Sequence, residues 1–99
     1  MRLRNYKDDL IERLKDPDYA AAYLAQVLED GDNGAFLIAL KDVVEAGGGV
    51  GALAGRLDIK RPSLYKILSK RGNPTLATLR DILKPLGLRV SVTTTAKAA

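Results

Sequence analysis

The sequence VGALAGRLDIKRPSLYKILS occupies residues 50–69 and contains two short apolar patterns. The first repeats every three or four residues over residues 50–57 and predicts a helix of about two turns. The second predicts another short helix, with Leu64, Ile67 and Leu68 facing inward. Between them, Asp58 can adopt the left-handed conformation that a tight turn needs, and Ile59 can fill the corner. Two short helices with such a turn are typical of a helix-turn-helix.

Three amphipathic helices are predicted before residue 50. The first runs from about Tyr6 to Lys15 and ends at Asp16. Asp16 is the expected N-cap of the second helix, with Pro17 at the first helical position. Gly31 ends that helix, Asp32 or Asn33 caps the third, and the glycines at 47–49 close it. The predicted core stripes comprise Tyr6, Leu10, Leu14, Ala20, Tyr23, Leu24, Val27, Leu28, Phe36, Leu37, Leu40, Val43 and Val44.

A further helix and a strand are predicted after residue 69. Thr75 is the expected cap of a helix that Pro85 ends by about Lys84, with Leu76, Leu79, Ile82 and Leu83 as its stripe. Residues 88–93 alternate apolar with polar side chains, which predicts a strand. Since no other strand is predicted, we expect it to pair with the same strand of a second copy. The alternative is an extended tail. The expected dimer contacts are Leu88, Val90 and Val92.

The patterns together predict an all-α fold. It is a small domain of about six helices with a helix-turn-helix and a short C-terminal β-strand that pairs across a homodimer. A chain of 99 residues suits one domain, which we expect over residues 1–93, with a flexible tail at 94–99. The sequence has no long apolar run and no apolar stretch near its amino end, so we expect a cytoplasmic protein that does not enter the membrane.

Composition excludes most familiar enzyme chemistry. Cys and His are both absent, so thiolate or imidazole metal sites, Ser-His-Asp triads and Cys nucleophiles are excluded. A small hydrolase or nuclease is disfavoured because residues 50–99 contain only Asp58 and Asp81 as acids. The sequence therefore predicts a protein that is not an enzyme and that has no metal site and no cofactor.

Charge is unevenly distributed along the chain. The formal net charge is +4, but residues 1–34 carry five basic and eight acidic side chains, and residues 50–99 carry ten basic and two acidic ones. A strong excess of Lys and Arg in one compact half favours polyanion binding, because these side chains release the counterions condensed on phosphates. The alternative is a solvated basic surface that contacts nothing.

The second helix of the predicted pair supplies the candidate contacts to double-stranded DNA, because in such motifs it enters the major groove. Arg61 can form a bidentate fork with guanine, and Lys66 can reach the same groove or a flanking phosphate. Pro62 preorganises the first turn. As alternatives, Tyr65 packs against the protein, and Lys70 and Arg71 balance the helix dipole. The candidates for phosphate contact are Lys60, Ser63, Tyr65, Ser69, Lys70, Arg71, Asn73 and Thr75.

Several stretches together resemble the addiction-module antidote proteins, the HigA-like antitoxins with a helix-turn-helix of the phage-repressor (XRE) type. They are Asp16-Pro17, Ala22-Tyr23-Leu24, Glu29-Asp30-Gly31-Asp32, residues 36–43, Leu53-Ala54, Ser63-Leu64-Tyr65, Gly72-Asn73-Pro74-Thr75 and Leu86-Gly87-Leu88. The chain departs from the family at Asp58, Lys60 and Pro62, where the family usually has Gly, Ser and an acidic or small residue. We therefore do not expect a relative's operator preference to carry over.

The resemblance implies a bacterial antitoxin of a type II toxin–antitoxin module. Such a protein binds and neutralises a RelE/ParE-like toxin and, as a dimer, binds operator DNA to repress its own operon. The alternative is a stand-alone helix-turn-helix transcriptional regulator without a toxin partner. Acidic side chains near the amino end would attract a basic toxin, although a solvated helix face is the alternative. The candidate toxin-binding residues are Asp8, Asp9, Glu12 and Asp16.

Overall fold

Residues 5–95 are described by a computed structural model, and they fold into six α-helices and one short 3-10 helix. Within this part of the chain no strand is present, so the all-α prediction of about six helices is confirmed. The elements are α1 Tyr6–Leu14, α2 Pro17–Glu29, α3 Asn33–Ala46, α4 Val50–Leu57, α5 Arg61–Ile67, α6 Leu76–Leu83 and the 3-10 helix Lys84–Leu86.

Side-chain caps define where four of the helices begin. Asp16 accepts a hydrogen bond from the Asp18 backbone N–H at 3.0 Å, and Pro17 stands in the first turn of α2, as predicted. Asp32, rather than Asn33, caps α3 by accepting from the Ala35 N–H at 3.1 Å. The same arrangement is found at Asn5 for α1 and at Thr75 for α6. Each cap satisfies an N–H that the helix itself leaves unpaired, so these boundaries follow from local sequence.

Helix α3 is the centre of the core and packs against α1, α2 and α4. Its inward face includes Leu40, which is fully buried, together with Phe36, Leu37, Val43 and Val44. An ion pair also ties α1 to α3, because Lys7 Nζ lies 3.2 Å from a carboxylate oxygen of the buried Asp42. The hydrogen bond to Asp42, supported by its negative charge, raises the pKa of Lys7.

The connection between α4 and α5 has the predicted geometry. Asp58 adopts the left-handed conformation with φ 55° and ψ 45°, and the Ile59 N–H donates to the Ala54 carbonyl at 3.0 Å. Ile59 packs against the core, and Leu64 and Leu68 of the following segment are fully buried. The short α4–α5 pair is therefore held by tertiary burial rather than by helix length.

Three predicted core positions are wrong. Tyr6, Leu28 and Leu76 were expected inside, but they are 80%, 55% and 54% exposed. Each is the first or the penultimate residue of its helix. At a helix end the neighbouring helix no longer covers the apolar stripe, so periodicity alone overestimates how far burial extends.

Residues after α6 follow the prediction in part. Helix α6 ends at Leu83, and Pro85 lies in the 3-10 helix that follows. Leu88 packs against the core of its own chain, whereas Val90 and Val92 are exposed. Residues 88–94 form neither helix nor strand in the single chain, and pairing with a second copy stays a prediction. The predicted tail at 94–99 lies mostly at 96–99, outside the described residues.

Candidate nucleic-acid interface

Helix α5 has one buried side and one exposed polar side. Leu64 is fully buried in the core and Ile67 packs against it, so the orientation of the helix is fixed. The other side chains of α5 face solvent. The exposed candidates for DNA contact in and beside this helix are Lys60, Arg61, Pro62, Ser63, Tyr65, Lys66 and Lys70, and Ser69 is half-buried.

A shallow groove of about 560 Å³ lies along this exposed side and is lined by Pro62, Ser63, Tyr65, Lys66 and Ser69. The Ser69 hydroxyl donates a hydrogen bond of 2.7 Å to the Lys66 carbonyl, which satisfies a carbonyl at the carboxyl end of α5. Ser69 therefore has a structural partner of its own. Among the groove residues, Lys66 carries the positive charge.

The Arg61 side chain lies against a glycine of the preceding helix. Its guanidinium group lies against Gly51 so closely that a Cβ at residue 51 would stand 3.0 Å from both Arg61 Cζ and Nε. That distance is shorter than ordinary van der Waals contact, so any larger residue at this position would displace the guanidinium. The sequence did not predict this contact, because periodicity gives no information about contacts between the two helices.

Tyr65 has a partner from the central helix. Lys41 Nζ lies 5.4 Å from the centre of the Tyr65 ring, within the range of a cation–π interaction. The ring nevertheless remains 44% exposed. Tyr65 thus has a protein contact and an accessible part of its ring, and its contact with DNA stays a prediction. Lys41 was not predicted as part of the site, since its contact with Tyr65 is non-local.

The remaining candidates lie in the segment between α5 and α6. Lys70 folds over the start of α3, where its carbonyl oxygen and Cγ stand 2.7 and 2.9 Å from the place of a Cβ at Gly34. Thr75 accepts the Thr78 N–H at 3.1 Å and is the cap of α6. Asn73 and Arg71 are exposed. The structure therefore gives Thr75 a clear structural role, and it leaves the side chains of Asn73 and Arg71 accessible.

The acidic candidates for toxin binding lie on a different part of the molecule. Asp8, Asp9 and Glu12 belong to α1, which packs against α2 and α3, whereas α5 packs against α4. Glu12 is paired with Lys15 at 3.1 Å, and Asp16 is the cap of α2. Three of the four residues therefore share α1, and the fourth begins the next helix.

The described part of the chain has no helix that is both long and apolar enough to span a membrane. Within the same residues no group of three or more acidic side chains is arranged to hold a metal ion.

Comparison with known proteins assigns the chain to a family. Residues 4–94 match the family described as "Probable addiction module antidote protein". An uncharacterized protein of Haemophilus influenzae strain Rd is 34% identical over 84 residues, which make up 85% of this chain and 86% of the relative. No solved structure gives a significant match. The chain belongs to the addiction module antidote family.

Proposed function

We propose that this protein is the antitoxin of a type II toxin–antitoxin module. In this role it binds and neutralises a RelE/ParE-like toxin in the cytoplasm, and it binds operator DNA to repress its own operon. Membership of the antidote family supports the existence of a toxin partner. The observation that carries the DNA-binding part is the exposed basic side of α5, whose other side is anchored by the fully buried Leu64.

In this proposal α4 and α5 form a helix-turn-helix of the phage-repressor type, with α5 in the major groove. The three-residue connection with its left-handed Asp58 supports it. Lys66, which lines the exposed groove, would meet base edges together with Arg61. Arg61 would reach the DNA by rotating its side chain away from Gly51. Lys60 and Lys70 flank the helix and would contact phosphates.

DNA binding of this kind uses a homodimer, since two recognition helices read two half-sites one helical turn apart. The alternating segment at 88–93 is the proposed dimer contact. Val90 and Val92 are exposed in the single chain, as expected for side chains that a second copy would cover. Leu88 packs on its own core, so in this proposal it anchors the start of the strand. Truncation before residue 88 should give a folded monomer in sedimentation analysis.

Operator binding is tested with a labelled duplex from immediately upstream of the gene, in the presence of random-sequence competitor and at several salt concentrations. Tight binding that survives competitor and falls steeply with salt is the expected result. Arg61→Ala and Lys66→Ala should each weaken it by about 1–3 kcal/mol and relax base discrimination. Lys84→Ala removes the same charge from an exposed residue outside α5 and is the control. Equal losses in all three variants would indicate a generic polyanion surface.

Neutralisation is tested by growth. The product of an adjacent co-directional reading frame that encodes a small basic protein is expressed alone or together with this protein. Growth arrest that co-expression relieves supports the antitoxin assignment, because a toxin is harmful only when free. Arrest that persists although the two proteins are present in equal amounts would contradict it.

A further inference from the structure

A second groove lies between α2 and α3. It has a volume of about 480 Å³, and Tyr23 and Val27 of α2 face Ala35 and Ile38 of α3 across it. Lys70, which folds over the start of α3, contributes to its wall. Such an apolar concave surface between two helices is suited to receive side chains of a partner.

The apolar residues of this groove are unevenly covered. Ile38 is 44% exposed, although Leu37 and Leu40 on the same helix are buried. Tyr23 and Val27 are half-buried, and burial raises the pKa of the Tyr23 phenol. A single exposed isoleucine is ordinary on a protein surface. Here it stands at the edge of a concave surface with other apolar side chains, which is the arrangement of a docking site.

One part of the groove is acidic. Asp30 and Asp32 both line it, and Glu29 precedes them at the end of α2. The peptide dipoles of α2 add negative potential at its carboxyl end, and no basic residue in the last turn of this helix compensates for it. One oxygen of Asp32 accepts the Ala35 N–H, but Asp30 is exposed beyond the end of its helix. Lys70 adds one positive charge to the lining, against the two negative charges of Asp30 and Asp32, so the lining stays negative overall. A partner that fits here combines apolar side chains with positive charge near the two carboxylates.

We propose that this groove binds an amphipathic basic helix of the toxin. Apolar side chains of that helix would lie over Tyr23, Val27 and Ile38, and a Lys or Arg side chain would pair with Asp30 and Asp32. A helix is favoured over an added strand because residues 5–95 contain no strand and therefore no sheet edge to extend. The inference rests on the proposed function, since it requires a toxin partner.

The groove and the acidic side chains of α1 have different roles in this proposal. Charges on α1, which include Asp9 and Glu12, act at a distance and accelerate the encounter with a basic partner. Buried apolar contact at the centre of an interface determines most of the affinity. Reversing charge on α1 should therefore slow association, whereas changes in the groove should mainly accelerate dissociation.

The test measures binding of the full chain to the purified product of the adjacent reading frame by titration calorimetry. Ile38→Lys removes an apolar contact and places positive charge against a basic helix, so it should weaken binding about tenfold or more. Leu28→Lys is the matched control, since Leu28 is equally apolar, more exposed and outside the groove lining. It should change the Kd by less than about threefold. Asp30→Lys tests the charge, with Asp81→Lys of α6 as its control.

The outcomes of this test distinguish failure of the groove proposal from failure of the proposed function. Absence of binding by the unaltered chain would overturn the antitoxin function and the groove with it. Binding of normal affinity by a folded Ile38→Lys protein would overturn the groove alone. Circular dichroism checks folding, and Ala35→Lys, at an exposed groove position on α3, replaces Ile38→Lys if that variant unfolds. Equal effects of Asp30→Lys and Asp81→Lys would contradict the basic character of the bound helix.

Discussion

Helices α1–α3 and helices α4–α5 are built in different ways. In the first group each helix has a side-chain cap, and two of the three have 13 or 14 residues. In the second group the helices have eight and seven residues, and neither has a side-chain cap. Short uncapped helices have little stability of their own. The comparison shows that the proposed DNA-binding part depends on tertiary contacts, whereas the acidic part is also stabilised locally.

The amino-terminal and carboxyl-terminal parts of the chain also differ in charge. Residues 1–34 carry an excess of acidic side chains and residues 50–99 an excess of basic ones. Opposite charges on two parts of one molecule allow a polyanion and a basic protein to bind at different surfaces. This segregation is what the two proposed partners require.

The largest expected effect is at the buried side of α5. Leu64→Ala should lower the free energy of unfolding by about 2–5 kcal/mol, because it leaves a cavity under a helix with no cap. Urea denaturation measures the effect. Leu76→Ala, at an exposed leucine of α6, is the control and should change stability by less than about 0.5 kcal/mol. Similar losses in the two variants would show that α5 does not depend on burial.

Single substitutions can remove the cap of α6 or add a cap to α5. Thr75→Ala should cost about 1 kcal/mol of stability, since it removes the bond to the Thr78 N–H. Lys60→Ser should provide α5 with the cap that it lacks and raise stability by a similar amount, while it weakens DNA binding through the lost charge. Thermal melting and DNA titration measure the two changes. Unchanged stability of Lys60→Ser would contradict the contrast between capped and uncapped helices.

The turn between α4 and α5 stores a small backbone strain. Asp58 is the only non-glycine residue with positive φ in the described part of the chain. Asp58→Gly should relieve about 1 kcal/mol of strain, offset in part by the greater freedom of glycine in the unfolded chain. We expect a net gain below about 1 kcal/mol in urea denaturation. A loss of stability would mean that the Asp58 side chain contributes to the turn.

The smallest effect concerns the ion pair between α1 and α3. Because Asp42 raises the pKa of Lys7, the pair stabilises the fold below the ordinary lysine pKa of 10.5 and loses its contribution as pH rises through the raised pKa. Lys7→Met should therefore cost less than about 1 kcal/mol at pH 7, and the cost should shrink above pH 10.5. Urea denaturation at several pH values checks this. A cost of Lys7→Met that stays constant above pH 10.5 would contradict the assignment.

Local sequence determines several helix boundaries and one turn of this protein without any tertiary contact. The caps at Asp16 and Thr75, the end of α6 before Pro85 and the left-handed Asp58 are properties of a few neighbouring residues, so the sequence predicted them. The exposed side of α5 also followed from the spacing of its apolar residues, because a helical period fixes which side chains share a face. The resemblance to the antidote family could also be recognised from the sequence, because its motifs are short and follow one another in a fixed order.

Only the tertiary structure decided how these elements act on one another. The contact of Arg61 with Gly51, the approach of Lys41 to Tyr65 and the groove between α2 and α3 join residues that are distant in sequence. The exposure of Leu76 at a helix end also depends on tertiary structure, because no neighbouring element covers that side chain fully. Periodicity gives the direction of a side chain about its own helix axis, but it contains no information about which neighbour covers that side chain or where the neighbour ends.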